Sequence, residues 1–217
     1  MRIGVLGTGI VGRTLAGKLV ELGHEVRMGS RQAGNENAVE WAQEAGDGAS
    51  EGTFADAAEF GELLINATGG KVALDALEMA GGENLAGKVL IDVSNALEFG
   101  DGPPVVGVAA DDSLGERIQA AFPEAKVVKA LNTMNASLMV APDSLDERTN
   151  VFVCGDDAAA KAQVIELLET FGWLSGDIVD LGDISAARGA ELYVALWVRL
   201  MGALGTPEFN LRLVREA

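Results

Sequence analysis

Runs of aliphatic residues alternate along the chain with segments whose apolar positions have helical spacing. The opening run, "MRIGVLG", has the composition of a buried parallel strand. The segment from Ile10 to Leu22 has the apolar spacing of a helix, and Gly23 ends it. The same criteria predict further strands in "HEVRMGS", "ELLINATGG", "KVLIDVSNA", "AKVVKALNT", "TNVFVCGD" and "DIVDLG". They predict further helices in "NAVEWAQEAG", "KVALDALEMAGG", "SLGERIQAAFP", the segment 156–171 and a long region from about Ser185.

This alternation predicts an α/β fold, a doubly wound and mostly parallel sheet of the Rossmann type with helices on both faces. The region from about Ser185 breaks the alternation and is predicted to form a small C-terminal helical lobe. We therefore expect a nucleotide-binding Rossmann domain over residues 1–150. An α/β extension and helical lobe over residues 151–217 would complete its cleft.

The composition limits the partners that the chain can have. Of its 217 residues 48% are hydrophobic, which is enough for one large core. The formal net charge of −17 predicts repulsion from nucleic acid and anionic lipid. The most apolar stretch, 193–205, is too short to span a membrane and contains Arg199. The single cysteine, Cys154, excludes an internal disulfide, so we expect a cytoplasmic protein that binds neither nucleic acid nor membrane.

A glycine-rich loop follows the first strand and opens the first helix. Its pattern is Gly7-x-Gly9-x-x-Gly12. In dinucleotide-binding proteins the first glycine permits a tight turn and the second lets the backbone approach a pyrophosphate, while the third lets the helix pack close to the strand. The helix N-terminus then presents free N–H groups to the anion. The loop therefore predicts a dinucleotide site.

The tip of the second strand indicates which dinucleotide binds. An Asp or Glu about 20 residues beyond the loop usually accepts hydrogen bonds from the ribose of NAD. Here Arg31 stands 19 residues after Gly12 and is preceded by Ser30. The nearest acids, Glu25 and Glu36, lie at the far end of the strand and beyond the turn. A serine can donate to a 2′-phosphate, and an arginine can pair with it or stack on the adenine. The tip therefore predicts NADP(H).

The ends of the other strands carry small or amide-bearing residues, at Thr68-Gly69, Ser94-Asn95 and Asn132. Ligands of doubly wound sheets lie beyond the C-terminal ends of the strands. We therefore expect these residues to contact the ribose, the diphosphate and the nicotinamide carboxamide.

Side chains that commonly catalyse reactions are nearly absent from these strand ends. His24, the only histidine, is predicted at a turn away from the cleft, and Cys154 is predicted to lie in the core. Lys129 is the one candidate proton donor, and its position on a strand leaves its direction open. No cluster has metal-ligand spacing, so we predict neither a catalytic side chain nor a metal site. Hydride exchange between two stacked cofactor rings needs position and exclusion of water rather than a side-chain acid.

The N-terminal segment "MRIGVLGTGIVGRTLAGKLVELGHEVRMGSR" closely resembles the start of the coenzyme F420-dependent NADP oxidoreductases. The segments "KALNT" and "VFVCGDD" and the final apolar helical region also match that family's layout. The resemblance implies a Rossmann domain that holds NADP(H), a C-terminal lobe that completes a deazaflavin pocket, and direct hydride transfer between the two rings. Carried over by position, it implies contacts to NADP(H) from Thr8, Gly9, Ile10, Val11, Ser30 and Arg31, a border of ribose and diphosphate at Thr68 and Gly69, and Asn132 near the paired rings.

We therefore expect an NADP(H)-dependent oxidoreductase that exchanges hydride with a deazaflavin (F420) or a flavin. Two alternatives stay open. One is an NADP-dependent reductase of a small carbonyl or imine metabolite, which would need an acid such as Lys129, and the other is a non-catalytic NADPH-sensing module. The helix over 193–205 is apolar on all sides, which predicts a homodimer interface as well as a core element.

Overall fold

An eight-stranded sheet lies at the centre of the protein. A computed structural model describes residues 1–98, 104–214 and 216. The strands are β1 (Arg2–Leu6), β2 (Glu25–Ser30), β3 (Ala49–Thr53), β4 (Leu63–Asn66), β5 (Val89–Asp92), β6 (Leu97–Glu98), β7 (Val105–Val106), β8 (Lys126–Ala130), β9 (Val151–Cys154) and β10 (Ile178–Asp180). The large sheet has the order β10-β9-β8-β5-β4-β1-β2-β3, and β6 and β7 form a separate two-stranded sheet.

The strand directions create the site. Neighbouring strands of the large sheet run parallel except β8 and β9, which pair antiparallel. The chain order reverses beside β1, because β2 and β3 extend the sheet on one side while β4 and β5 extend it on the other. Such a switch point opens a crevice at the C-terminal ends of the strands, where doubly wound folds bind ligands. The predicted fold class is therefore confirmed.

Helices cover both faces of the sheet. They are α1 (Ile10–Glu21), α2 (Glu36–Ala45), α3 (Phe54–Phe60), α4 (Ala73–Ala80), α5 (Gly82–Leu85), α6 (Leu114–Ala121), α7 (Ala136–Val140), α8 (Ala158–Thr170) and α9 (Ala187–Leu204). Within β4, Leu63 and Ile65 belong to one apolar core and Leu64 to another. Since side chains alternate across a strand, the two cores lie on opposite faces of the sheet. Strands β4 and β5 are buried along their whole length for this reason.

The hydrophobic pattern does not predict β3 and α3. Strand β3 reads ASEGT and buries only Gly52, so it carries no apolar alternation. It forms at the sheet edge because its backbone pairs with β2. Helix α3 has only seven residues, too few for a clear period, and it begins with a capping box in which Thr53 and Asp56 bond each other's backbone N–H groups. Both elements lie between β2 and β4 in the sequence, and β3 forms the edge of the sheet beside β2.

The C-terminal region contains sheet as well as helix. Strands β9 and β10 belong to the large sheet, so the division of the chain at residue 150 falls within one continuous sheet and stays an interpretation. Helix α9 buries one stripe, made of Ala187, Ala190, Glu191, Val194 and Val198. On its outer side Leu196 is 54% and Leu204 57% exposed. In the part of the chain that the structure describes, no helix is long and apolar enough to cross a membrane.

Candidate active site

The glycine loop has the backbone geometry that its pattern predicts. Gly7 has a φ of 118°, and a Cβ there would lie 2.6 Å from the Ala67 carbonyl oxygen. A Cβ on Gly12 would lie 2.2 Å from the Gly7 oxygen, so the helix can pack here only without a side chain. A Cβ on Gly9 would meet nothing within 4 Å. Gly9 caps α1 without a side-chain hydrogen bond, so the first-turn N–H groups are left for an anion approaching this open position.

Two adjoining clefts open at the switch point. The large cleft has a volume of about 730 Å³ and the small cleft about 300 Å³. Both are lined by the segment that follows β4, at Ala67, Thr68, Gly69 and Val72. The large cleft brings together the predicted residues Gly7, Thr8, Gly9, Ser30, Arg31, Thr68 and Gly69. The small cleft brings together Val11, Thr68, Gly69, Ser94 and Asn95.

Ile10, Gly12 and Asn132 line neither cleft. Ile10 is 71% exposed on the first turn of α1, and Gly12 is packed against Gly7. Asn132 is buried behind Asn95, and the two amides are paired. The Asn132 Nδ2 donates to the Asn95 Oδ1 at 3.0 Å, and the Asn95 Nδ2 donates to the Asn132 carbonyl at 2.8 Å. Asn132 is thus placed to orient Asn95 rather than to line the cleft.

One corner of the large cleft is built by the loop between β2 and α2. The Ser30 hydroxyl donates to the Gln32 carbonyl at 2.5 Å, which shapes the turn. Arg31 is exposed and forms no ion pair with any residue in the described ranges. The Gly34 N–H donates to the Glu51 Oε2 at 2.9 Å, and Asn35 caps α2. The corner is therefore a hydrogen-bonded turn, and among the described residues its Arg31 guanidinium group has no ion-pair partner.

The sequence did not reveal part of the lining. The large cleft also contacts Phe54, Asp75, Ala76 and Met79, and the small cleft contacts Lys71. Phe54 and the three residues of α4 belong to elements that cover the sheet, and no motif marks their direction. Lys71 lies in a short 3₁₀ turn directly after Gly69-Gly70. Its place beside a predicted strand end is the one signal that could have identified it.

Lys129 is buried behind the clefts and has no access to them. Its Nζ lies 2.7 Å from the Asp92 Oδ2, 2.6 Å from the Ser94 carbonyl and 2.9 Å from the Glu191 Oε1. These three oxygens satisfy all three ammonium protons. Burial lowers the pKa of Lys129, but the carboxylates of Asp92 and Glu191 outweigh it and raise the pKa above its ordinary value. Lys129 is therefore an ion-paired group of the interior, and its three oxygen partners leave no proton to donate to a cleft.

Cys154 and His24 also lie outside the clefts. Burial raises the pKa of the Cys154 thiol to about 12, as expected for a core cysteine. His24 is at the opposite end of β2 from Ser30, where its Nδ1 lies 3.3 Å from the N-terminal amine. Burial and that amine lower the pKa of His24. Within the described ranges, no three His, Cys, Asp or Glu side chains are grouped as a metal ion requires.

The fold and the two clefts are those of the Rossmann class of dinucleotide-binding proteins. A profile of the family described as "NADP oxidoreductase coenzyme F420-dependent" matches residues 2–96. A crystal structure from Arthrobacter sp. FB24, provisionally assigned as an F420-dependent NADP reductase, is 51% identical, has a TM-score of 0.92, and aligns over 98% of this chain and 99% of that one. The chain belongs to this family of coenzyme F420-dependent NADP oxidoreductases, which confirms the predicted family and enzyme class.

More distant relatives match either nearly the whole length of their own chains or only part of it. The F420-dependent NADP reductase of Methanocaldococcus jannaschii is 29% identical over 92% of either chain. The metalloreductase STEAP3 of Rattus norvegicus is 30% identical over 95% of this chain, which spans only 38% of the length of that protein. An imine reductase of Streptomyces aurantiacus has a TM-score of 0.67 at 20% identity, aligned over 94% of this chain and 64% of that one, and shares the fold alone.

Proposed function

We propose that the protein exchanges hydride between NADP(H) and a deazaflavin or flavin ring. The adenosine half of NADP(H) occupies the large cleft and its nicotinamide ring reaches the small cleft, where the second ring stacks against it. One observation carries this proposal. Two clefts meet at the switch point along the shared segment Ala67–Gly69, so a ligand that extends through the large cleft ends where the small cleft begins. When bound, NADPH supplies a hydride from its nicotinamide ring, and a flavin-type ring is an acceptor for it.

The large cleft fits the adenosine and diphosphate parts of NADP(H). Its volume of about 730 Å³ is within the range of ligand sites, roughly 300–1,000 Å³. The open backbone at Gly9 and the free N–H groups of α1 suit the diphosphate. The corner at Ser30 and Arg31 suits the 2′-phosphate, because Arg31 has no carboxylate partner in the described chain. We propose that the NADP(H) site consists of Gly7, Thr8, Gly9, Ile10, Val11, Gly12, Ser30, Arg31, Thr68, Gly69, Ser94, Asn95 and Asn132. Three of these residues line neither cleft. Ile10 contributes its backbone N–H in the first turn of α1, Gly12 allows α1 to pack on the loop, and Asn132 orients Asn95.

The small cleft fits a flat ring with a carboxamide. Val11, Val93 and Leu97 give it apolar walls, and Ser94 and Asn95 add hydroxyl and amide groups at one side. Lys71 is its one ionisable lining residue in the described part of the chain. Hydride transfer between two rings leaves an anionic reduced acceptor that can take its proton from solvent, whereas reduction of a carbonyl or imine usually needs a proton donor in the site. With Lys129 enclosed by oxygen atoms, the cleft favours ring-to-ring transfer.

The C-terminal region contributes to this cleft from behind. The Asn132 Nδ2 donates to the Ala190 carbonyl of α9 at 3.2 Å, so α9 is connected to the Asn95–Asn132 pair. We propose that residues 151–217 complete the cleft in this way while residues 1–150 bind the nucleotide. A cytoplasmic location is part of the proposal, since Cys154 is a buried free thiol.

A screen of NADPH oxidation tests the proposal. Purified protein is mixed with NADPH and, in separate reactions, with F420, FMN, FAD and a set of carbonyls and imines. We expect turnover with F420 or a flavin and none with the carbonyls or imines. Tight NADPH binding without oxidation by any acceptor would instead identify a sensing module.

The variant Lys71→Met distinguishes the two enzymatic readings. If Lys71 donates a proton to a carbonyl, the substitution removes carbonyl turnover by about 10²-fold or more. In ring-to-ring transfer no proton passes from Lys71, so kcat with F420 or flavin stays within about twofold of wild type and only KM for an anionic acceptor rises. Lys18→Met, a change on the outer side of α1 at a residue paired with Glu21, is the matched control. Carbonyl turnover that depends on Lys71 would contradict the proposed function.

A further inference from the structure

A buried hydrogen-bonded network links the ends of three strands, and the proposed hydride exchange does not use any of its ions directly. Lys129 of β8 lies at its centre and contacts Asp92 of β5, the Ser94 carbonyl and Glu191 of α9. The side chains of Lys129 and Asp92 are 0% exposed and that of Glu191 is 1% exposed. We call Lys129, Asp92 and Glu191 the buried triad.

One branch of the network leads from the triad to the clefts. The Asp92 Oδ1 accepts from the Ser94 hydroxyl at 2.6 Å and from the Asn66 Nδ2 at 2.8 Å. The Asn66 Oδ1 accepts in turn from the Thr68 hydroxyl at 2.7 Å. Ser94 and Thr68 both line the small cleft. The triad therefore sets the positions of Thr68 and Ser94, two cleft walls that follow the ends of β4 and β5.

A second branch leads from the triad to the helices. The Glu191 carboxylate accepts from the backbone N–H of Leu114 at 2.8 Å and of Gly115 at 3.0 Å, in the first turn of α6. The neighbouring Ala190 carbonyl accepts from Asn132, whose amide is paired with Asn95. Glu191 thus fixes the position of α9. The Ala190 carbonyl of α9 then positions Asn132, and Asn132 holds the cleft residue Asn95.

Stability alone does not account for this arrangement. A buried ion pair is costly to desolvate, and well-packed apolar residues of similar volume are often equally stable or more stable. The triad also contains two carboxylates for one ammonium group, so its charges do not cancel. The triad fixes the relative positions of strand and helix ends, which apolar residues would not do. Its oxygens and protons are each bonded to a defined partner at such an end.

We propose that Lys129 is a positioning residue, which together with Asp92 and Glu191 holds the Thr68, Ser94 and Asn95 walls in the geometry that the nicotinamide half of NADP(H) requires. This inference rests on the proposed function. It assigns the adenosine half of the cofactor to the glycine loop and the Arg31 corner. Among the described residues, the hydrogen bonds of the network reach the large cleft at Thr68, which both clefts share, and not at the glycine loop or Arg31. Loss of the triad should therefore affect the two halves of the cofactor differently.

The test compares ligands that occupy different parts of the site. Adenosine 2′,5′-bisphosphate probes the adenosine half alone, and NADPH probes both halves. The first variant is Lys129→Met with Asp92→Asn and Glu191→Gln, which removes all three charges so that no unpaired ion is buried. We expect the Kd of the bisphosphate to stay within about twofold of wild type. We expect the rate of hydride transfer to an active acceptor to fall by about 10- to 100-fold, because a displacement of about 1 Å costs on the order of 10²-fold.

A matched control separates positioning from a general loss of stability. Lys88→Met removes a partly buried lysine that lines neither cleft and whose Nζ donates to the Ala58 carbonyl at 2.7 Å. Both variants are compared by thermal unfolding and by the ratio of the NADPH and bisphosphate Kd values. A purely structural triad would lower the unfolding temperature and leave the Kd ratio and the single-turnover rate unchanged, as in the Lys88 control, and that result would overturn the inference.

The outcomes for the two proposals are distinguishable. If wild-type protein binds neither NADPH nor the bisphosphate, the proposed function fails. If wild type binds both and transfers hydride but the triple variant keeps its Kd ratio and rate, only the positioning role fails. If the triple variant does not fold, the single variant Glu191→Gln replaces it, because it preserves side-chain size while changing the acceptors offered to Lys129 and α6. Glu191→Gln must then show the same selective loss. An unchanged Kd ratio and rate in that variant would overturn the positioning role.

Discussion

Replacement of Arg31 by alanine is the most direct test of the cofactor assignment. Arg31 lines the large cleft, is exposed, and has no ion-pair partner among the described residues. Its removal therefore disturbs no contact within the protein that the structure shows. Any change in ligand affinity reports on the ligand itself, which makes Arg31→Ala a cleaner perturbation than a change at Ser30, whose hydroxyl shapes the turn at Gln32.

The size of the effect follows from the exposure of Arg31. A hydrogen bond to a charged group contributes about 1.5–3 kcal/mol. Water screens an exposed pair, so we take the lower limit, about 1.5 kcal/mol. Because about 1.4 kcal/mol corresponds to a tenfold change in Kd, Arg31→Ala should weaken NADPH binding by about tenfold. NADH has no 2′-phosphate, and its Kd should not change.

Isothermal titration of both cofactors against both proteins measures the difference. The matched control is Arg148→Ala, which removes an exposed arginine that pairs with Asp177 far along the chain from the cleft residues, and it should leave both Kd values unchanged. Higher salt should weaken wild-type binding of NADPH more than that of NADH, since the added contact is between charges. Equal affinities for NADPH and NADH in the wild type would refute the reasoning, and so would an Arg31→Ala variant that loses affinity for both cofactors equally.

Four further predictions concern the thiol, the outer face of α9, the Trp197 contact and the metal. Cys154 should resist iodoacetamide at pH 8 in the native protein and react after unfolding, because burial raises its pKa to about 12; rapid native-state labelling would contradict its core position. The chain should be a dimer through the outer face of α9, where Leu196 is exposed, so Leu196→Glu should yield monomers in light scattering, whereas a monomeric wild type would exclude this interface. Trp197 stacks on Phe209 at 5.5 Å within the chain, so Trp197→Glu should instead lower the unfolding temperature. Activity should persist in chelator, and a loss reversed by a divalent ion would show that a metal is required.

The core of the fold could be predicted because its signals are local. The buried strand β1, the period of α1 and the glycine loop between them lie within 2–21 and need no knowledge of the rest of the chain. The same holds for Ser30 and Arg31, whose place at the end of β2 follows from the length of α1 and the next strand. The clefts bring together most of the residues that were predicted to contact the dinucleotide, and the contacts themselves stay a prediction.

Features that depend on distant contacts could not be predicted. The pairing of Lys129 with Asp92 joins residues 37 positions apart, and that of Glu191 with Leu114 joins residues 77 positions apart. Periodicity does not show that a lysine in the middle of an apolar strand meets two carboxylates. The antiparallel direction of β9 was missed for the same reason, since the apolar run "VFVC" is compatible with either direction.

The contact between Glu191 and the start of α6 makes α9 and α6 a cooperative unit. When α9 opens, the N–H groups of Leu114 and Gly115 lose their acceptor, and Lys129 loses one of its two carboxylates. The amides at the start of an eight-residue helix would otherwise exchange with solvent through rapid fraying. We expect them instead to exchange only when α9 opens, so that their free energy of opening equals that of the interior amides of α9. Residues near the C-terminus therefore control the local unfolding of a segment in the middle of the chain, and a chain truncated before α9 should lose protection across β5, α6 and β8 at once.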